Sequence, residues 1–234
     1  MTTRATAHLV LISAVLMAAC ITPEPDTSRH TDIVYWNGIY YQAPFGSTGR
    51  ALSDEDLGPE QFRVNTRVER GTTPLTDRDA GWVPAGSPVF AVVGYRTSFR
   101  LAARHDGRLF LYESAPNAAA KRGADLLDIE GRVVAIALLS SLVPESLVTR
   151  LDDRTRVDEL VHLVSVAPVD LSGPWGVEGG PGKSILVSFE LADGTRTVRG
   201  YNRVRRVLSD VIYVGAEFKT AIESLISASP CSQC

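Results

Sequence analysis

The chain has 234 residues, of which 44% are hydrophobic and 22% charged, and its formal net charge is −3. This composition allows a hydrophobic core and excludes an intrinsically disordered chain, and the weak negative charge argues against a nucleic-acid partner. Three cysteines are too few for a small scaffold held together by disulfides. We therefore expect one or two globular modules.

The first 19 residues have the pattern of an export signal. Arg4 supplies a positive charge, and a mostly apolar run of eleven residues follows from Leu9 to Ala19. A membrane-spanning helix needs about 20 apolar residues, so this run is too short to cross a bilayer. Its length is typical of the hydrophobic core of a signal peptide, and Cys20 follows directly.

Small residues before a cysteine at this place resemble the lipobox of bacterial lipoproteins. The resemblance implies that residues 1–19 are removed and that Cys20, lipidated on its sulfur, becomes the mature N-terminus. Met17 departs from the motif, which prefers leucine three positions before the cysteine. The alternative is a secreted protein cleaved after Ala19, but the general signal peptidase favours a small residue where Met17 stands.

Residues 20–31 are polar and contain two prolines, which predicts an extended tether. A lipid group with two acyl chains anchors a protein stably, because each buried CH₂ contributes about 0.8 kcal/mol. The N-terminal region thus predicts a protein that is attached to the cell membrane through its lipid and faces outside the cytoplasm.

Four dipeptides that end in glycine predict β-hairpins. Asn-Gly and Asp-Gly reach the positive φ angles of tight turns, and runs rich in β-branched and aromatic residues flank them. A short helix is expected after Ser53, and a strand over residues 89–95. The dipeptides are Asn37-Gly38, Asp106-Gly107, Glu130-Gly131 and Asp193-Gly194.

A change in composition near residue 140 predicts two modules, 32–140 and 150–228, followed by a flexible tail over 229–234. Two apolar stripes in the second module step by the α-helical period, and an alternating strand lies between them. The expected fold class is α+β, with a β-hairpin-rich module followed by a small helix–hairpin–helix module. The stripes are Val157, Leu160, Val161 and Val164, and Phe218, Ile222, Leu225 and Ile226.

Several segments of the two modules resemble exported bacterial lipoproteins of uncharacterised function. The resemblance covers roughly residues 32–228 and consists of loose structural patterns, so it implies no catalytic or binding residues. The segments are IVYWNGIYY, PAGSPVFAVVGY, GRLFLYE and DGTRTVRGY.

Motifs of the common catalytic classes are missing from the sequence. It has no Gly-x-Ser-x-Gly, Ser-x-x-Lys or His-Glu-x-x-His pattern, and the segments 76–81 and 171–184 lack the spacing of a calcium loop and of a P-loop. Only His105 and His162 could supply the base of a dispersed site, and we interpret both as solvated residues. We expect neither a metal ion nor a cofactor.

Three features remain as candidate contacts. Trp175 lies in a Gly-rich segment, where it either meets a partner or folds back onto the core. Arg199 and Tyr201 share one face of a predicted strand and suit a phosphate or carboxylate, unless Arg199 only charges a strand edge against aggregation. Cys231 and Cys234 are a possible disulfide, with a redox or metal role as the alternative.

Taken together, these features predict a lipid-anchored extracytoplasmic protein, a non-enzymatic binding or accessory module of the cell envelope. The expected partner is an envelope protein or polymer. One alternative is a cell-envelope hydrolase with a dispersed active site, which a deep cleft holding a histidine against two carboxylates would favour. A redox accessory that uses the C-terminal cysteine pair is the other alternative.

Overall fold

The fold is mostly β. A computed structural model describes residues 32–44, 48–69, 71, 74–141, 146–172 and 184–229. Strands hold 41% of these residues and helices 18%, in two sheets of eight and six strands with three short helices. The predicted α+β class with a helix–hairpin–helix module is therefore wrong.

The first sheet has the strand order β3-β6-β7-β8-β2-β1-β5-β4. Neighbouring strands are antiparallel except β4 and β5, which run parallel. The strands are β1 (Ile33–Trp36), β2 (Ile39–Gln42), β3 (Leu57–Arg63), β4 (Thr66–Arg67), β5 (Asp79–Ala80), β6 (Pro88–Val92), β7 (Arg100–His105) and β8 (Arg108–Ser114).

The second sheet is antiparallel throughout, in the order β10-β9-β11-β12-β13-β14. Its strands are β9 (Val133–Leu139), β10 (Leu147–Leu151), β11 (Ser184–Leu191), β12 (Arg196–Asn202), β13 (Val207–Leu208) and β14 (Ile212–Tyr213). The helices are α1 (Gly123–Leu126), α2 (Arg154–Val166) and α3 (Ala216–Ser227).

Three of the four predicted hairpin turns are confirmed. The turns at Asn37, Asp106 and Asp193 join the antiparallel pairs β1–β2, β7–β8 and β11–β12. Asn37 and Asp106 have φ angles of 52° and 48°, the positive values that a tight hairpin turn requires. Sequence and structure agree here because the signal is local to the turn.

The fourth hairpin, at Glu130-Gly131, is wrong. The segment before it forms α1 and a loop, because the Asp125 side chain accepts hydrogen bonds from the backbone N–H groups of Lys121 and Arg122. This conformation places the Leu126 side chain in the same hydrophobic core as the buried residues of α2. The strand after the turn, β9, pairs with β10 and β11 instead of a preceding strand.

The pairing of β9 with β11 also explains why the helix–hairpin–helix prediction is wrong. β11 makes hydrogen bonds along both edges, to β12 on one side and to β9 on the other. An isolated two-stranded hairpin is marginally stable, and each added neighbour satisfies another edge. β9 is buried at six of its seven positions, so its sequence lacks the alternation that marks a half-exposed strand.

Both predicted helices are present and cover one face of the second sheet. The α2 stripe is buried as expected, and the Asp153 side chain caps the helix by accepting a hydrogen bond from the Arg156 N–H. In α3, Phe218 and Ile222 are fully buried, and the Phe218 ring meets Tyr201 of β12 edge-on at 5.3 Å. Their apolar side chains, with those of β9 and β11, form the larger hydrophobic core.

Candidate functional site

Four of the predicted site residues lie outside the described part of the chain. They are Cys20, Trp175, Cys231 and Cys234. Their roles in lipidation, partner contact and a disulfide stay predictions.

Arg199 and Tyr201 share one face of β12, as the strand spacing predicts, and this face points into the protein. The Tyr201 side chain is fully buried, and burial raises its pKa to about 12. The Arg199 side chain is only 13% exposed, and its Nη1 lies 2.8 Å from Oε2 of Glu113 on β8. The predicted binding role of this pair stays a prediction, one that such burial does not support.

Arg199 belongs to a group of polar side chains that joins the two sheets, which we call the buried charge cluster. Its other members are Arg100 and Glu113 of the first sheet, Thr197 of β12 and Thr195, which directly precedes β12. Arg100 donates from Nε and Nη2 to Glu113 Oε1, at 3.0 and 2.7 Å, and from Nη1 to Thr195 Oγ1 at 2.8 Å. Thr197 Oγ1 donates to Glu113 Oε2 at 2.6 Å.

The buried charge cluster keeps Glu113 ionised. Burial raises the pKa of this carboxyl, but the charges of Arg199 and Arg100 and the hydrogen bonds from Thr197 and Arg100 outweigh it, and the net pKa lies below the ordinary value. Both carboxylate oxygens have donors, and the Arg100 guanidinium is fully buried between the sheets. The cluster has its ligands inside the protein and is a structural element rather than a site for a substrate.

Neither predicted candidate histidine lies in an enclosed cleft. His105 Nε2 lies 3.2 Å from Asp106 at the β7–β8 turn. His162 Nδ1 lies 3.4 Å from Glu130 Oε1, and these two side chains are 63% and 61% exposed. Water screens such a pair strongly, so the contact is weak.

A groove lies between α2 and α3. Its volume is about 570 Å³. We call it the α2–α3 groove. Its lining residues are Arg156, Glu159, Leu160, His162, Leu163, Ala216, Glu217, Thr220, Ala221 and Ser224.

Each wall of the groove is one face of a helix. The residues repeat at i, i+3, i+4 and i+7, the spacing of neighbours along one side of an α-helix. Leu160 is buried at the base, and Leu163 and Ala221 are partly buried. The repeats are Arg156, Glu159, Leu160 and Leu163 in α2, and Glu217, Thr220, Ala221 and Ser224 in α3.

The groove does not follow from the two apolar stripes, because each stripe indicates only the face that its helix buries in the core. One signal was available. Leu163 is apolar but lies outside the predicted core stripe of α2, so it widens the apolar surface toward α3. A local pattern cannot show that α3 lies beside Leu163, because α2 and α3 are about sixty residues apart in the sequence.

The charges around the groove are unevenly matched. Arg156 Nη1 lies 2.8 Å from Glu159 Oε2, and His162 lies beside Glu130. Glu217 has no hydrogen bond or ion pair with any residue that the structure describes; its negative charge favours the first turn of α3 through the helix dipole. The lining thus has one arginine against two glutamates, and Glu130 adds a further carboxylate at the border, so carboxylates outnumber the arginine.

The groove lacks the contacts of a hydrolytic triad. Ser224, the only serine in its lining, donates its hydroxyl to the Thr220 carbonyl at 2.8 Å. Within the described ranges, no three His, Cys, Asp or Glu side chains are grouped so that they could hold a metal ion. An apolar base with an acidic border is an arrangement suited to binding.

Comparison with protein-family models, with curated proteins and with solved structures found no match. Among the helices of the described ranges, none is long and apolar enough to cross a bilayer.

Proposed function

We propose that this protein is a lipid-anchored binding module of the cell envelope, held outside the cytoplasm by Cys20, and that it contacts its partner through the α2–α3 groove. The groove is the observation that carries the binding role. It combines a base of Leu160, Leu163 and Ala221 with a charged border. Apolar surface with a few polar groups around it is the usual composition of a binding site.

The anchor rests on the sequence of the N-terminus. A short apolar run that ends in Ala-Cys is typical of lipoprotein signals, and the polar segment 20–31 gives the folded chain distance from the bilayer. Attachment by lipid leaves the α2–α3 groove free to meet a partner in the envelope, and the partner chemistry that we favour is a protein.

Substitution of the anchoring residue tests the proposal. In cells that produce the full chain, Cys20→Ser removes the sulfur that would carry the lipid, so the protein should move from the membrane fraction to a soluble fraction. Incorporation of a labelled fatty acid should be lost as well. Fractionation and labelling measure both effects.

The matched control is Cys231→Ser, the same chemical change at a position with no predicted lipid. It should leave both membrane retention and labelling unchanged. Retention of Cys20→Ser at the membrane with its label intact would contradict the proposed anchor.

A cell-envelope hydrolase is the second candidate, and the contact between His162 and Glu130 beside the groove favours it. This pair resembles the base and the orienting carboxylate of a catalytic site. A nucleophile within reach of His162 is not among the described contacts, which is why we rank it second. Release of soluble fragments from purified envelope polymer, abolished by His162→Ala, would reverse the order.

A further inference from the structure

We infer that the α2–α3 groove receives an amphipathic helix of a partner protein, seated with its apolar face on Leu163 and Ala221, above the buried Leu160, and with a basic residue beside Glu217. This inference rests on the proposed binding function and specifies the partner. Its support is the shape of the groove, the size of the residues on its walls and the sign of its charge.

The shape of the groove fits a rod. Both walls extend over eight residues of helix, Arg156–Leu163 and Glu217–Ser224. At 1.5 Å per residue, each wall is about 10 Å long, which corresponds to two turns of an incoming helix. A partner helix that lies in the groove would contact both α2 and α3 and would bury its own apolar stripe against them.

Apart from Glu217, the residues of the α3 wall are small. Ala216, Thr220, Ala221 and Ser224 leave space for a helix to approach to the usual packing distance of about 8–10 Å between axes. The larger apolar surface comes from α2. A helix with apolar residues at i, i+3, i+4 and i+7 would bring leucine-sized side chains into this space.

A small molecule fits less well. Small-molecule sites usually enclose about 70–90% of the ligand surface. Seven of the ten lining residues are exposed along the open side of the groove, so a compact ligand would remain largely in water. A helix needs only one covered face, and an open groove supplies that.

The charge around the groove selects a basic helix. Glu159 is balanced by Arg156, whereas Glu217 is exposed and unpaired in the part of the chain that the structure describes. Glu130 lies next to His162 at the border. A lysine or arginine on the partner would therefore find negative charge on both sides of the apolar base, and an acidic helix would be repelled.

The test uses two stapled helical peptides of about 15 residues, because unstapled helices of this length are marginal in water. Both carry leucines at i, i+3, i+4 and i+7; one has flanking lysines and the other has glutamates in the same places. The Cys20→Ser form of the full chain, purified without detergent, is titrated with each peptide by fluorescence anisotropy. We expect saturable binding of the lysine peptide and at least about twofold weaker binding of the glutamate peptide.

Two variants locate the binding in the groove. Thr220→Trp fills the open space from an exposed position and should weaken binding of the lysine peptide at least about tenfold. Glu217→Lys should reverse the preference between the two peptides. Each variant has a matched control that should leave the affinity for both peptides unchanged. The control for Thr220→Trp is Ser227→Trp, on the same helix but outside the groove. The control for Glu217→Lys is Glu69→Lys, at an exposed position between β4 and β5.

The possible outcomes separate the inference from the proposed function. Absence of saturable binding, or binding that Thr220→Trp and Glu217→Lys leave unchanged, would overturn the helix inference. The lipid anchor and a binding role on another surface would then still stand, because fractionation of Cys20→Ser tests the anchor independently. Shifts of α2 and α3 amide signals on addition of the lysine peptide would support the inference, and shifts confined to other elements would contradict it.

Discussion

Glu113 shows how a single residue can join two sheets that lie far apart in the sequence. Its carboxylate accepts hydrogen bonds from Arg100 of its own sheet and from Thr197 of the other sheet. It also forms an ion pair with Arg199 of that other sheet. Strand alternation predicts that Arg199 and Tyr201 share a face. It does not predict that this face is buried against Glu113, because the two residues are 86 positions apart and no local pattern relates them.

Removal of the Glu113 charge should destabilise the protein strongly. In Glu113→Gln, the buried guanidinium of Arg100 and the nearby Arg199 lose their negative partner, and we expect a loss of about 3–5 kcal/mol in the free energy of unfolding at neutral pH. The difference should shrink in acid. Because the pKa of Glu113 is lowered in the folded state, its contribution is present above the unfolded pKa and is lost as pH falls through the folded value. Urea denaturation at several pH values measures both effects.

Glu60→Gln is the matched control. Glu60 pairs with Arg63 at 3.0 Å, and both side chains are exposed at the surface, so this change should cost less than about 1 kcal/mol. An equal cost for the two variants, or a Glu113→Gln deficit that stays constant down to strongly acidic pH, would contradict the role given to the buried charge cluster.

The helices and most hairpin turns could be predicted at the scale of single elements, because their signals lie within a few residues. The stripe from Val157 to Val164 repeats with the helical period, and Asn37-Gly38 supplies positive φ angles within one turn. The partners of β9 could not be found in this way. A strand was expected after Gly131, and β9 is there, but its pairing with β10 and β11 instead of a preceding strand is set by the whole sheet.

The contact between α1 and α2 also depends on more than local pattern. At Gly123 a Cβ atom would lie 2.0 Å from the Val164 carbonyl oxygen, so the close approach of the two helices requires glycine. Gly123→Ala must push α1 away from α2 and should lower the free energy of unfolding by about 1–3 kcal/mol. Thermal and urea denaturation measure the change.

Gly200→Ala serves as the control for this contact. A Cβ at Gly200 in β12 would meet no atom within 4 Å, so its effect should stay within about 1 kcal/mol. The account of the α1–α2 contact would be contradicted if Gly123→Ala were as stable as Gly200→Ala.

For the whole molecule, the two sheets are held together by polar contacts as well as by cores. Arg50 Nε donates to the Asp193 carbonyl at 2.9 Å, and the Tyr95 hydroxyl donates to the Asp193 carboxylate at 2.7 Å, so the β11–β12 turn is attached to the first half of the chain. These contacts add to the buried charge cluster. A stable body of this kind suits the proposed binding role, which requires the α2–α3 groove to keep its shape.

The proposed tether sets the distance over which that surface can act. Twelve residues, 20–31, span at most about 40 Å when fully extended, which is comparable to the diameter of a domain of this size. The folded chain could therefore turn the α2–α3 groove toward a partner in the membrane or away from the bilayer. The groove was not predictable from the sequence, because it depends on the packing of α2 against α3.

The lipid on Cys20 is the central claim, and the intact mass of the protein purified from membranes tests it most directly. The account predicts a chain that begins at Cys20 and carries the added mass of a diacylglyceryl group on that residue, with or without a third acyl chain. A chain that begins at Cys20 with no added mass, or that retains residues 1–19, would contradict the anchor and the envelope function proposed with it.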